Sequence, residues 1–168
     1  MDIFQGISEV MSKKTCIVAV GSELYRDDAV GLYLVNRVLR GAHSDRVTFI
    51  MAEDVIENYV FKIAGEDCDN VMIIDAVKSD SEVGSVVFGP LGEFNELIGD
   101  FSTHKLSLKL SGKILEDHNK KTYLLGIEAG DLDFGNGLTT DVKKSADILA
   151  DFLINTINNN PKEHIYEQ

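Results

Sequence analysis

The six residues Asn70-Val-Met-Ile-Ile-Asp75 constrain this chain more than any other stretch. Successive side chains of a strand point to opposite faces, so this run is apolar on both. A strand covered on both faces belongs at the centre of a parallel sheet with helices above and below it. The run also ends on an acid, at the carboxyl edge where open α/β sheets place their ligands.

The remaining pattern supplies partners for such a strand. Thr15–Val20, Val47–Met51, Ser85–Phe88 and Thr122–Ile127 read as further strands, bounded by glycine or polar turns. Ser85–Phe88 follows the central strand after a short Gly-bearing loop, and so is expected antiparallel at an edge. Apolar residues recur at helical spacing over Asp28–Arg40 (Val30, Leu34, Val38), Val55–Ala64 and Thr139–Ile157 (Val142, Ala146, Leu149, Leu153, Ile157). Ser102–Ser111 fits two patterns. Leu106, Leu108 and Leu110 alternate as in a strand, while Leu106, Leu110 and Ile114 suit a helix. The order predicts an α/β fold, a three-layer α/β/α domain with a mostly parallel five-stranded twisted sheet. Residues 1–14 read as a flexible N-terminal arm or a short helix, 15–157 as a single domain, and 158–168 as a polar C-terminal tail.

A chain of 168 residues, 44% of them hydrophobic, suits one domain with a proper core. With 16 basic against 28 acidic residues the net charge is −12, which argues against nucleic acid as a partner. No apolar run reaches the length of a membrane span, and the N-terminus lacks the basic-then-apolar pattern of a signal peptide. Cys16 and Cys68 make no disulfide framework, and a reducing cytoplasm is the expected setting.

The first strand leads into Gly21-Ser-Glu-Leu-Tyr-Arg-Asp-Asp-Ala-Val-Gly31. A phosphate-binding loop would place glycines and a lysine there; this one places Asp27 and Asp28. Three loops can bring acids and an imidazole to the carboxyl edge: Asp28 after the first strand, Asp75 at the end of the third, and His104 at the start of the ambiguous segment. Two carboxylates and one imidazole suit a borderline divalent metal such as zinc or nickel, with a coordination position left open. Each residue also has a plainer use. Asp28 can serve a helix start, Asp75 can cap a turn, and a lone histidine is more often on the surface. Asp27 reads as a solvated neighbour or a loop holder, and Glu128 and Asp131 as outer acids or caps. His43, His118 and His164 read as loop or tail residues. No HExxH, GxSxG or GxxxxGK[ST] pattern occurs, so this is not an ordinary zinc protease and has neither a nucleophile elbow nor a P-loop, and the missing GxGxxG argues against a dinucleotide fold.

Taken together, the first loop resembles the GN-x-L-x-x-D-[DE]-x-x-G signature of hydrogenase maturation endopeptidases. Ile73-Ile-Asp-Ala76 resembles the family's apolar strand ending in Asp-Ala, and Ser102-Thr-His-Lys-Leu106 its Ser/Thr-x-His motif. Leu125-Gly-Ile-Glu128 and Gly135-Asn-Gly-Leu-Thr-Thr-Asp-Val142 resemble its two C-terminal segments. The similarity runs over residues 16–157. Two departures stand out: Ser22 replaces the usual asparagine, and the first-motif acid is Asp28 where some members have glutamate.

The resemblance implies a helix over 102–116 and a metal site formed by Asp28, Asp75 and His104, which would also be the catalytic residues. It implies an endopeptidase that removes the C-terminal extension of a nickel–iron hydrogenase large-subunit precursor after nickel insertion. Nickel would be supplied by that precursor, either as a recognition element alone or as a Lewis acid too, with other divalent metals able to occupy the site in vitro. The expected protein is a cytoplasmic monomer that binds neither nucleic acid nor membrane. Three alternatives remain at this stage. A non-catalytic nickel-sensing assembly chaperone would bind the same precursor without cutting it. A flavodoxin-like domain would want a phosphate-friendly first loop, and a general metallo-aminopeptidase would turn over small peptides.

Overall fold

The structure, a computed structural model, describes residues 2–94 and 105–160. Five strands form one sheet: β1 (Thr15–Val20), β2 (Val47–Glu53), β3 (Asn70–Val77), β4 (Val86–Pro90) and β5 (Lys121–Glu128). Their spatial order is β2-β1-β3-β5-β4. β1 pairs in parallel with β2 and β3, and β3 in parallel with β5, while β4 runs antiparallel to β5 at the edge. The doubly covered strand is indeed central. Its side chains divide by parity: Met72 and Ile74 join one core, Val71 and Ile73 the other.

Helices α1 (Ile3–Met11), α2 (Val30–Gly41) and α5 (Thr140–Asn159) cover the first face; α3 (Val60–Ala64) and α4 (Lys105–Asp117) cover the second. The segment with two readings is therefore helical from Lys105 onward. The alternation of its leucines is overridden because only a helix can lay Leu108 and Leu115 together against β3 and β5. The N-terminal segment is not a loose arm. Asp2 caps α1, its carboxylate accepting from Phe4 N; Ile7 and Met11 are buried in the first core, and Val10 is buried as well. The three buried positions fall at steps of three and one, a helical stripe within a mostly polar segment. The tail beyond residue 160, with His164, lies outside the described residues. No helix among the described residues is long and apolar enough to cross a membrane.

This topology creates one switch point. After β1 the chain turns toward β2; after β2 it crosses back over β1 to β3. The carboxyl ends of β1 and β3 thus flank the crevice in which a doubly wound sheet binds its ligand.

Candidate active site

At that crevice the chain leaves β1 through Gly21, makes a single 3-10 turn at Arg26–Ala29, and enters α2. Two glycines fix this route. Gly21 has φ +139°, and a Cβ there would stand 1.9 Å from the carbonyl oxygen of Asp28. Gly31 lies against both strand ends, where a Cβ would fall 2.4 Å from the Ile74 carbonyl oxygen and 2.9 Å from that of Val20. The first turn of α2 is thereby pressed against β1 and β3, and Asp28 is brought beside Asp75.

Asp28 is half-buried, and its Oδ2 accepts from the backbone N–H of Ser22 at 2.9 Å. The residue that departs from the family pattern therefore orients this acid through its main chain, which any residue but proline could do. Asp75 is 2% exposed, and its Oδ1 accepts from Ala76 N at 2.8 Å. Burial, and then the neighbouring Asp28 carboxylate, push the Asp75 carboxyl well above the ordinary aspartate range, against the bond from Ala76 N. A divalent cation between the two acids would reverse both effects, and that is the respect in which this pair fits a metal. His104 lies outside the described residues. Among the described residues no group of three His, Cys, Asp or Glu side chains is arranged to hold a metal.

Asp27, adjacent to Asp28, points the other way. It is fully buried, and its carboxylate accepts from Gly130 N (2.9 Å), Asp131 N (2.9 Å), Thr139 N (2.7 Å) and Thr139 Oγ1 (2.8 Å). Its backbone N–H donates to Asp131 O at 3.0 Å, and Tyr25 and Gly135 form a parallel bridge flanked by two more backbone bonds. The loop carrying Asp28 is thus fastened to the 130–139 loop. Of the two sequence readings of Asp27, loop holder is the one observed, but its partner Thr139 carried no signal beyond the polar Gly-Leu-Thr-Thr run. The fastened pair of loops also presents Leu24, Tyr25, Leu132 and Phe134 to solvent, with Tyr25 and Phe134 in edge contact at 6.0 Å between ring centres.

The outer acids turn out to be caps. Glu128 is 1% exposed and accepts from Ser79 N, Ser79 Oγ and Ser81 N, holding the turn after β3. Asp131 accepts from Asp133 N and lies 3.5 Å from Arg26 Nε. His118 caps its own helix, with Nδ1 2.8 Å from Ile114 O.

The family profile of the HycI hydrogenase maturation proteases matches residues 33–156, most of the chain. The chain belongs to the hydrogenase maturation protease family. It is accordingly a protease, a hydrolase acting in hydrogenase maturation. A protein of Methanocaldococcus jannaschii assigned as a hydrogenase maturation protease is 31% identical over 154 residues, covering 86% of this chain and 89% of its own. A second from the same organism is 24% identical over 149 residues, covering 86% and 97%. Solved structures share the fold. The [NiFe] hydrogenase maturation protease HycI from Thermococcus kodakarensis superposes with a TM-score of 0.76 at 23% identity, covering 92% of this chain and 99% of its own. The E. coli maturating endopeptidase HybD superposes with a TM-score of 0.72 at 22% identity, covering 82% and 88%.

Proposed function

We propose that this maturation protease removes the C-terminal extension of a nickel–iron hydrogenase large-subunit precursor, and that it does so only once nickel is in place. The observation that carries the reading is the approach of Asp28 and Asp75 from two different elements at the switch point of the sheet. Asp75 is buried in a position where it is hard to ionise next to a second acid. Such a pair is poised for a cation that arrives with the substrate rather than for a peptide alone.

In this account nickel belongs to the substrate. Asp28, Asp75 and His104 contact it and so test for its presence, and the metal supplies Lewis acidity toward the scissile carbonyl or an activated water. The protein's own part is positioning. Ser22 N orients Asp28, Ala76 N orients Asp75, and Asp27 holds the whole loop in register. The apolar rim of Leu24, Tyr25 and Phe134 beside the loop suits contact with the precursor's surface. Because the substrate completes the metal's coordination, the free enzyme need not bind nickel tightly.

The test follows the mass of the large subunit with wild-type enzyme and with His104→Ala or Asp75→Ala. Each variant is expected to slow extension loss by more than about a hundredfold, because even outer partners of a metal are worth 10–100-fold. Cleavage by His104→Ala at the wild-type rate would remove His104 from the site. Tight precursor binding with no cleavage by the wild type would favour the assembly-chaperone reading.

A further inference from the structure

At the opposite, amino-terminal edge of the sheet lies a second group of reactive side chains, which peptide hydrolysis does not use. Cys16 is the second residue of β1 and fully buried. Cys68 sits in the turn before β3, half-buried, packed against the core cluster that contains Cys16. The backbone ties the two segments together. Cys16 pairs with Val71, three residues past Cys68, and Asp69 N and Asn70 N both donate to Lys14 O at 2.9 and 3.2 Å. Each thiol is the largest single influence on the acidity of the other, as expected of neighbours in one packed cluster. Lys120, only 8% exposed, closes the cluster. Its Nζ donates to the carbonyl oxygens of Glu66 (2.6 Å) and Cys68 (2.9 Å), locking an ammonium beside one of the two sulfurs.

We propose that Cys68 and Cys16 are a redox-active pair, in which a peroxide oxidises Cys68 and Cys16 resolves the product into an intramolecular disulfide. The division of roles follows from position. Cys68 is the sulfur a small oxidant can reach, and Cys16 is reachable only from Cys68. The neighbouring Cys16, and then the Lys120 ammonium, lower the Cys68 thiol to about 7 despite its partial burial. The neighbouring Cys68, and then burial, push the Cys16 thiol far up, so Cys16 keeps its proton.

The chemistry balances. The Cys68 thiolate attacks a peroxide oxygen, the O–O bond breaks, and hydroxide leaves to take up a proton. Cys68 becomes a sulfenic acid, oxidised by two electrons as the peroxide is reduced. The negative charge that held the Cys16 proton is then gone. Cys16 attacks the sulfenic sulfur, the S–S bond forms, the S–O bond breaks, and the departing hydroxide leaves as water with the Cys16 proton. With hydrogen peroxide the sum is two thiols plus peroxide giving one disulfide and two waters.

The experiment uses the full reduced chain, hydrogen peroxide at neutral pH, then denaturation, alkylation and intact mass. The expected product has lost two hydrogen atoms, takes up no alkylating agent, remains a single chain and reverts with dithiothreitol. In Cys16→Ala the same treatment should add one oxygen at Cys68, trapped by dimedone. In Cys68→Ser, Cys16 should stay reduced. In the untreated native chain, alkylation of Cys68 should reach half its maximal rate near pH 7. Two outcomes would overturn the proposal: Cys68 gaining two or three oxygens while Cys16 remains alkylatable, or both cysteines surviving peroxide. None of these readouts depends on precursor cleavage.

Discussion

Two neighbouring aspartates divide one task. Asp28 faces Asp75 at the strand ends, and Asp27 faces inward to four donors of the 130–139 loop. A 3-10 turn makes this possible, because adjacent residues project about 120° apart in a helix with three residues per turn. Replacing Asp27 with alanine empties a fully buried position and leaves three partly buried N–H groups and a hydroxyl without their acceptor. Thermal or urea denaturation should show a loss of roughly 3 kcal/mol or more. Asp27→Asn preserves the shape but sets an amide group against N–H donors. It should fold and cleave more slowly than wild type, with the deficit mainly in kcat, since the docking surface survives. An Asp27→Asn enzyme with wild-type kcat would mean that the loop's register does not matter to the reaction. The pairing of the two acids was legible in the sequence; their opposite orientations were not. Orientation depended on Gly130, Asp131 and Thr139, more than a hundred residues away in the chain, and local pattern carries no information about such contacts. For the same reason Glu128 could be read equally as an outer acid or a cap until Ser79 and Ser81 were seen beside it.

Among the elements, α2 decides where the site forms. Gly31 lets its first turn sit directly on the ends of β1 and β3. Gly31→Ala would drive a methyl group into two backbone carbonyls, which cannot move as a side chain can. The variant should lose about 2–3 kcal/mol of stability in denaturant titration and lose activity beyond what its folded fraction explains. On its other side α2 is clamped to α5. Asp147 accepts from Tyr33 Oη (2.6 Å) and pairs with Lys143 (3.0 Å) and Arg37. The Tyr33 hydroxyl, and then the two cations, hold the Asp147 carboxyl below the ordinary aspartate range. A lowered folded-state value means stability that is present above the unfolded value and disappears as pH falls through the folded one. Asp147→Asn should therefore be less stable than wild type at pH 7, with the gap closing as the pH drops below about 4. Urea midpoints of both proteins across that range check the sign. The helical stripes of α2 and α5 were visible from their apolar periodicity. α1 was harder to see, since only Ile7, Val10 and Met11 mark its buried side within a short polar segment.

The whole molecule follows from its central strand. A run apolar on both faces demanded a covered parallel sheet, and the chain's alternation of strands and helices left few ways to build one. The switch point between β1 and β3 then placed the two candidate acids together without any long-range sequence motif. What the pattern could not supply was the fastening of the first loop to the 130–139 loop, or the presence of two thiols and a buried lysine at the far edge of the sheet. The two edges carry separate chemistry, so Cys68→Ser should leave precursor processing unchanged. Parallel assays of the variant and wild type on one precursor preparation would detect a difference.

The central claim is that this protease acts on a precursor that already carries nickel. The most direct measurement is the mass of the cognate large subunit after incubation with the enzyme, with the precursor either nickel-loaded or nickel-free. The account predicts loss of a C-terminal peptide from the loaded precursor alone. Equal cleavage of both forms would contradict it, and would leave Asp28 and Asp75 with some task other than sensing the metal.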